Sequence, residues 1–451
     1  MNKYHNIVDY IMDEILNDTI RLEEKMPTVR ALSEKFQCSK GTVVKAYEQL
    51  QKNHIIYSVP QKGYFLVKKN RLVEELKTGI IDFTSASPDE SVLPYEDFQH
   101  CLNQAIDTYK HTLFNYSNPK GLPSLIRVLV KYLQEYQVFC KTENLFITAG
   151  AQQAIHILCT MHFPNDKTNI LVEQPAYKGI LKSLELNNIP VILIERGFDG
   201  IDIYELERKF ATDNIKLFYT TPRYHNPLGV SYSNEEKKQI VKLADKYDVY
   251  IIEDDYLADL EIKNNSYPMY YEDTAERVIY MKSFSKILLP GLRIGAIVVP
   301  TILANSFEKN KQWADLGTTV LSQGALEIYI KSGMFKAHRK KIKKIYTQKM
   351  ELLNRIAISA HIPDIQWHIP PTGFFACVEF LSEIDSGSII KNLKERNILI
   401  NHIKENYFTD DYNNKLLKIS LSKANFDQIN YGIRALLDEI LKARNMDFLT
   451  L

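Results

Sequence analysis

The amino-acid sequence predicts two parts: an N-terminal winged helix-turn-helix over residues 1–68 and a larger α/β domain over residues 81–451. Helical periodicity near the N-terminus is interrupted by tight polar connections. From residue 81 onward, short apolar runs alternate with helical stretches, which predicts a mainly parallel sheet. The last hundred or so residues change to an α+β pattern. We therefore expect a large lobe over about 81–300 and a small lobe over about 301–451.

The composition is typical of a globular chain, with 45% hydrophobic and 25% charged residues. No apolar run reaches the roughly 18 residues of a membrane span. The acidic residues Asp9, Asp13 and Glu14 argue against a signal peptide. The five cysteines are scattered without metal-ligand spacing, so we expect reduced thiols, no metal site and a cytoplasmic location.

The N-terminal part begins with apolar residues at helical spacing from Ile7 to Leu16, which predict an amphipathic helix. A second short helix follows Pro27, and Ser39 is placed to cap a third. Two short helices joined this tightly are typical of a helix-turn-helix. The segments IIYSV and YFLV, joined by the turn PQKG, predict a two-stranded hairpin, or wing.

The second helix of such a pair enters the DNA major groove with its N-terminal residues. The expected DNA contacts are Ser39, Lys40, Thr42 and Lys45 at the groove and Arg30 and Lys62 at phosphates. Between Cys38 and Arg71, seven basic residues accompany one acidic residue, which gives this segment a net charge of +6. A helical bundle with incidental lysines is the alternative, and the wing and the charge argue against it.

The motifs P-T-V-R-A-L, C-S-K-G-T-V-V-K-A-Y-E-Q-L and Q-K-G-Y-F-L-V resemble the winged-helix domain of the GntR family of bacterial regulators. The resemblance covers roughly residues 1–70. Residues 69–80 form a short polar linker, and about a dozen residues extend to at most roughly 40 Å. This length limits how far the two parts separate.

The larger part contains Lys286 in the motif SFSK, followed by Arg293 in a glycine-flanked segment. A partly buried lysine amine near other cations can form a Schiff base. Ser283, Ser285 and Arg293 supply hydroxyl and guanidinium donors for a phosphate. The strand–glycine–helix junction TAGAQ, at 148–152, adds a helix N-terminus suited to an anion. An aldehyde and a phosphate on one ligand indicate pyridoxal 5′-phosphate (PLP).

Two further segments complete such a site. IIEDDY ends an apolar strand, and a carboxylate there can pair with a protonated pyridine nitrogen. Asn226, in TPRYHNPLG, can bond the phenolic oxygen of the ring. A solvated acidic turn is the alternative for EDD, and it weakens once SFSK and NPLG are counted.

The motifs TAGAQQA, EQPAY, TPRYHNPLG, IIEDDY and VIYMKSFSKILLPGLRIGAIVVP, in this order, resemble fold-type I PLP-dependent aminotransferases. With the winged helix, the whole chain is similar to the MocR/GabR subfamily of GntR regulators. The similarity implies that Lys286 carries the internal aldimine and Asp254 pairs with the pyridine nitrogen. It also implies that Asn226 and Tyr256 hold the phenolic oxygen and that Tyr177 stacks on the ring. The residues implied to cradle the phosphate are Gly150, Ala151, Gln152, Ser283, Ser285 and Arg293.

The resemblance further implies a head-to-tail, domain-swapped homodimer that reads paired half-sites in double-stranded DNA. Its sites lie at the dimer interface, and Tyr116, in FNYSNPKG, would reach the phosphate in the partner subunit.

The sequence departs from the aminotransferase pattern on a late strand, where LLKISLS places Lys418 instead of the arginine that holds the substrate carboxylate. A lysine offers one point charge where an arginine offers a two-pronged fork. Arg223 is a candidate substitute for that arginine, or else it braces the EDD turn. A basic run, KAHRKKIKKIYTQK at 336–349, is either a solvated helix face or an auxiliary contact to the DNA backbone.

These features favour a PLP-dependent transcriptional regulator that senses PLP, an amino compound as an external aldimine, or both. The alternative is an active aminotransferase with an appended DNA-binding domain. Lys418 weakens the carboxylate clamp that transamination uses for positioning. A degenerate scaffold without cofactor is disfavoured, because every PLP-contacting position holds a suitable residue.

Overall fold

The computed structural model describes residues 3–16, 25–52, 56–59, 63–66, 79–116, 118–263, 265–382, 384–409 and 412–447. It divides into two compact units, Met1–Ile80 and Ile81–Leu451. The predicted linker lies outside the described residues except for positions 79 and 80. Within the described residues, no helix is long and apolar enough to cross a membrane.

The first unit is the predicted winged helix-turn-helix. Its elements are α1 Lys3–Leu16, α2 Val29–Lys35, α3 Lys40–Lys52, β1 Ile56–Val59 and β2 Gly63–Leu66. Thr28 caps α2 by accepting a hydrogen bond from the Ala31 N–H, and Ser39 accepts one from the Thr42 N–H. Apolar residues of all three helices form one core, in which Tyr47 is fully buried. Strands β1 and β2 pair antiparallel as the wing.

The second unit alternates helices and strands as predicted. Its α-helices are α4 Tyr95–Tyr109, α5 Pro123–Leu133, α6 Ala151–Thr160, α7 Lys178–Leu186, α8 Ile203–Thr212, α9 Asn234–Lys246, α10 Met269–Glu272, α11 Thr301–Asp315, α12 Val320–Lys331, α13 Met334–Ala360, α14 Ser386–Glu395 and α15 Phe426–Asp447. Its strands are β3 Ile81–Asp82, β4 Leu145–Thr148, β5 Asn169–Gln174, β6 Val191–Glu195, β7 Ile215–Thr220, β8 Tyr250–Asp254, β9 Val278–Ser283, β10 Gly295–Val298, β11 Ile365–His368, β12 Phe375–Phe380, β13 Ile398–Leu399, β14 Asn401–His402 and β15 Leu416–Ser420.

The large sheet has the order β4-β10-β9-β8-β7-β5-β6, and β10 runs antiparallel to both of its neighbours. The other strand pairs in this sheet are parallel, which confirms the predicted mainly parallel sheet. A second, antiparallel sheet has the order β11-β12-β15-β14. A short parallel pair joins β3 to β13. The sequence pattern did not reveal the reversed strand β10, because a strand direction leaves no local signal.

The apolar clusters do not follow the predicted lobe boundary near residue 300. Helix α12 and the first half of α13 pack with residues of the large lobe, and Leu303 and Phe307 of α11 pack against the large sheet. The core of the small lobe instead joins Ile81 and Phe83 to residues from Met350 onward. The small lobe therefore contains β3, the very beginning of the second unit.

Candidate functional site

The residues predicted to surround Lys286 meet at the carboxyl edge of the large sheet. Strand β4 leads into the turn at Gly150, and β8 ends at Asp254. The loops after β5 and β7 carry Tyr177 and Asn226. Parallel strands end at one edge of a sheet, so these residues come together although they are far apart in sequence.

At this edge lies a cavity of about 90 Å³. The residues that line it are Ala151, Gln152, Tyr177, Thr221, Asn226, Asp254, Tyr256, Ser283, Ser285, Lys286 and Arg293. Thr221 is the lining residue that sequence reasoning missed, because a single threonine after a strand carries no distinguishing pattern. Gly150 is not among the lining residues, but it immediately precedes Ala151, the first residue of α6.

One end of the cavity is built for an anion. Gly150 has a φ of 77°, and a Cβ atom there would lie 2.6 Å from Nη2 of Arg293. Only glycine therefore lets the arginine lie against the start of α6. Arg293 is held by a hydrogen bond of 3.2 Å to the Ala149 carbonyl. A helix N-terminus beside a guanidinium attracts phosphate.

The side chain of Lys286 is half-buried. Burial is the main cause that lowers its pKa to about 8, and the positive charges of Arg293 and Lys418 act in the same direction. The nearby carboxylate of Asp254 opposes this shift. A lysine with a lowered pKa offers more neutral, nucleophilic amine at physiological pH. Its Nζ donates a hydrogen bond of 2.9 Å to the carbonyl of Ala86.

The carboxyl group of Asp254 is fully enclosed, and burial raises its pKa to about 7. The hydroxyl of Tyr219 donates to Oδ2 at 2.6 Å. The opposite oxygen, Oδ1, is buried and has no hydrogen-bond partner among the described residues, and Asp254 is one of the residues that line the cavity. A cationic group in the cavity would stabilise the ionised form of this carboxyl.

Within the described part of the chain, four buried polar atoms of cavity residues have no hydrogen-bond partner. They are Gln152 Oε1, Asn226 Oδ1, Asp254 Oδ1 and Ser285 Oγ. Leaving a buried polar group unpaired costs about 1–3 kcal/mol. Four such atoms around one cavity indicate a site shaped for a polar ligand rather than a defect of packing.

Two predicted tyrosines are placed in different ways. Tyr256 lines the cavity, but its hydroxyl donates 2.6 Å to the Tyr224 carbonyl. It must exchange that bond before it can donate to a ligand oxygen. Tyr116 is 88% exposed and does not line the cavity of its own chain. Its role toward a partner subunit stays a prediction.

Arg223 does not point its guanidinium into the cavity. It forms a two-pronged ion pair with Asp255, in which Nε lies 2.9 Å from Oδ1 and Nη2 contacts Oδ2. Its Nη1 donates to the Ser266 carbonyl at 3.3 Å. All three nitrogens are engaged, so this position supports the bracing role. Nothing in this arrangement supports Arg223 as a ligand for an effector carboxylate.

Lys418 lies in β15 with its Nζ 5.4 Å from the centre of the Phe375 ring. Burial lowers its pKa, and its charge is close enough to Lys286 to lower the pKa of that lysine too. It makes no ion pair with any described residue. Lys418 therefore provides a positive charge near Lys286 that an acidic ligand group can use.

The residues predicted to contact DNA lie at the start of α3. Lys40 and Lys45 are exposed. The hydroxyls of Ser39 and Thr42 lie 2.9 Å apart and bond to each other, so Ser39 serves the helix cap first. Arg30 is exposed but paired with Glu34 at 2.9 Å. Lys62, the predicted wing contact, lies outside the described residues.

The basic run of α13 divides into two faces. Lys336, Lys340, Lys341 and Lys344 are exposed. His338 is buried, and its Nε2 lies 2.7 Å from the Ile287 carbonyl, next to Lys286. Arg339 pairs with Glu135 at 2.7 Å. The run is thus partly a structural support for the Lys286 loop and partly a solvated face.

Comparisons with known proteins agree with both units. A family model for aminotransferase class I and II matches residues 83–436, and one for bacterial regulatory proteins of the gntR family matches residues 3–66. The chain is 42% identical to the uncharacterized HTH-type transcriptional regulator YcxD of Bacillus subtilis (strain 168), over 98% of this chain and 100% of that protein. It is 25% identical to YdfD of the same organism, another uncharacterized HTH-type transcriptional regulator, over 96% of this chain and 95% of that protein. The crystal structure of Pyrococcus horikoshii kynurenine aminotransferase in complex with PMP is similar, with a TM-score of 0.75 and 26% identity. The match covers 83% of this chain and 95% of that one.

Proposed function

This chain belongs to the MocR/GabR-type regulators, in which a gntR-family helix-turn-helix domain is fused to an aminotransferase class I and II domain, and we propose that it is a PLP-dependent transcriptional regulator. Its aminotransferase-like domain senses PLP, a small amino compound, or both. The observation that carries this proposal is the set of four unpartnered polar atoms beside Lys286, in a chain whose first unit is a winged helix.

The cavity residues fit PLP by their chemistry. Lys286 offers an amine for the aldehyde, Asp254 a carboxylate for the ring nitrogen, and Ser285 and Arg293 donors for the phosphate. When bound, PLP supplies a reactive aldehyde carbon and an electron-withdrawing ring. The protein supplies placement: burial keeps part of the Lys286 amine neutral, and the fixed anion site at the start of α6 orients the phosphate.

Lys418 supports sensing over turnover. Efficient transamination depends on a rigidly oriented substrate, and a lysine holds a carboxylate by one flexible point charge. The bond network of Arg223 leaves it no free fork to replace the missing arginine. We infer that the effector is an amino compound with an acidic group, held long enough to shift a conformational equilibrium but positioned loosely for catalysis.

The regulator acts on DNA as a homodimer that binds paired half-sites. Support comes from the exposed Lys40 and Lys45 at the start of α3 and from the exposed Tyr116 outside its own cavity. We assign the exposed lysines of α13 no part in sequence reading, because phosphate neutralisation carries no sequence information.

Cofactor binding is tested by spectroscopy. Purified protein mixed with PLP is expected to develop a visible absorbance band that survives gel filtration. Lys286→Ala removes the covalent attachment and should lose the band, whereas Lys423→Ala, at an exposed lysine outside the cavity, should keep it. A band of equal strength in Lys286→Ala would refute the assignment of Lys286.

DNA binding is tested by a mobility shift with the region upstream of the gene of this protein. Lys40→Ala is expected to weaken the complex, and Lys423→Ala is not. Steady release of a keto acid from ordinary amino acids over many turnovers would instead support the aminotransferase alternative.

A further inference from the structure

The second unit begins with residues Ile81–Asp89, which we call the strap. The strap continues directly from the linker, since the first unit ends at Ile80. It starts in the small lobe as β3, which pairs in parallel with β13. Whatever moves the strap therefore moves the point at which the linker is attached.

The start of the strap is fixed in the core of the small lobe. Phe83 is buried there, and its N–H donates to the Leu399 carbonyl at 2.9 Å. The Phe83 carbonyl accepts from the Ser420 N–H at 2.8 Å. A Cβ atom on Gly432 would lie 2.5 Å from the Phe83 ring, so α15 leaves room for that ring only because residue 432 is glycine.

The middle of the strap reaches Lys286. The Ala86 carbonyl accepts the hydrogen bond from Lys286 Nζ. One residue earlier, the Ser85 carbonyl accepts hydrogen bonds from the hydroxyls of Ser420 and Ser422. Ser420 ends β15, the strand that carries Lys418. The strap is thus hydrogen-bonded both to Lys286 and to β15, the strand that carries Lys418.

The end of the strap is tied to α13. Lys349 donates to Asp89 Oδ2 at 3.1 Å, and the N–H of Asp89 donates to the Tyr346 hydroxyl at 3.4 Å. Since α13 also holds the Lys286 loop through His338, the strap and the lysine share one supporting helix.

We propose that the strap is the segment through which Lys286 and the Lys418 strand act on the DNA-binding unit, with Ser420 and Ser422 as positioning residues that hold Ala86 against the lysine amine. This inference rests on the proposed function. A neutral amine that condenses with an aldehyde gives up both N–H hydrogens, which leave with the carbonyl oxygen as water while a C=N bond forms. The donor to Ala86 is then lost. An acidic ligand group bound at Lys418 would contact β15, and Ser420 of that strand is hydrogen-bonded to Phe83 and Ser85. A change at Lys286 and a change at Lys418 would therefore both reach the residues next to the linker.

Hydrogen–deuterium exchange tests the strap without reference to DNA. The N–H groups of Thr84 and Ser85 donate to Asp82 Oδ1, and that of Ser87 donates to Ser85 Oγ, so their exchange reports strap order. PLP is expected to speed exchange of these amides about fivefold, the equivalent of one ordinary hydrogen bond. Lys286→Ala should abolish the change. A PLP band that forms while strap exchange stays constant would overturn the proposal. If no band forms, the proposed function fails first.

Substitution of the positioning serines separates coupling from cofactor binding. In Ser420→Ala/Ser422→Ala, and in Ser422→Ala alone should the double variant not fold, we expect the PLP band to persist. Strap exchange should already be fast without PLP, and the effect of PLP on DNA affinity should fall toward none. Ser359→Ala is the control, because that hydroxyl bonds to the Ile356 carbonyl within α13. A DNA response to PLP as large as that of the unaltered protein would reject the coupling role.

Discussion

Two neighbouring aspartates at the end of β8 have opposite surroundings. Asp255 is enclosed by partners: Arg223 grips both of its oxygens, and the Tyr280 hydroxyl donates to Oδ2 at 2.8 Å. Asp254 has one partner, Tyr219, and an oxygen without any among the described residues. Successive residues of a strand point to opposite faces, so one acidic motif serves two environments.

The difference separates structure from function within a single motif. A buried charge that is fully paired holds the fold together, and removing its partner is costly. A buried carboxyl that is left half-satisfied costs stability and persists where a ligand completes it. The groups around Asp255 are therefore occupied with one another, and the cavity beside Asp254 is the place where we propose that a ligand binds.

The largest effect is expected from removing the cation that pairs with Asp255. Arg223→Met leaves the buried Asp255 without its cation, and we expect the free energy of unfolding to fall by about 3–5 kcal/mol. Denaturant unfolding measures this change. Lys182→Met is the matched control: it breaks an ion pair with Glu185 whose side chains are 58% and 55% exposed, so the loss should stay below about 1 kcal/mol. Equal losses in the two variants would contradict the distinction.

A pH-dependent effect, smaller for each pH unit than the loss expected in Arg223→Met, is expected from Asp254. The pKa of Asp254 is raised to about 7 in the folded protein, against about 3.9 in an unfolded chain. Between these values the folded state holds a proton that the unfolded state has released. Its stabilising contribution is thus complete below about pH 4 and is lost as the pH rises through 7, by at most about 1.4 kcal/mol per unit.

Asp254→Asn removes this dependence. We expect the unaltered protein, without added PLP, to gain free energy of unfolding when the pH is lowered from 8 to 5, because Asp254 takes up a proton in the folded state. The asparagine variant should not show this gain. Its PLP affinity should fall about tenfold or more, as a charged hydrogen bond contributes about 1.5–3 kcal/mol. The same pH dependence of the free energy of unfolding in both proteins, or an unchanged PLP affinity, would contradict the role proposed for the Asp254 carboxyl.

Much of the fold could be predicted from the sequence, because its periodicities are local. The helix-turn-helix and its wing, strands β4 to β8 and the closing helix α15 all follow from apolar spacing and caps. The placement of β3 in the small lobe could not be predicted. Two residues, Ile81 and Asp82, form that strand only because β13 lies beside them, and such pairing over a long sequence distance has no local pattern.

Most of the candidate site could be predicted as well, because its residues are identified by side-chain chemistry. Ala86 could not, since it acts through a backbone carbonyl that every residue type possesses. Likewise, sequence alone left two roles open for Arg223. The choice depended on whether its fork met Asp255, which is a matter of side-chain direction at the end of β8.

The smallest expected effect tests whether Lys418 limits the affinity of the proposed site for a ligand carboxylate. Lys418→Arg replaces a point charge with a fork that can hold a carboxylate by two hydrogen bonds. We expect α-amino acids to bind about five- to tenfold more tightly, the gain of roughly 1–1.4 kcal/mol that one additional ordinary hydrogen bond contributes. Titration of the PLP band with amino acids measures this, and amines without a carboxylate should show no gain. Lys423→Arg is the control on an exposed lysine. If Lys418→Arg raises the affinity for amino acids and for amines without a carboxylate equally, Lys418 does not bind the carboxylate. Because Arg223 remains bound to Asp255 in either variant, any gain must come from residue 418 itself.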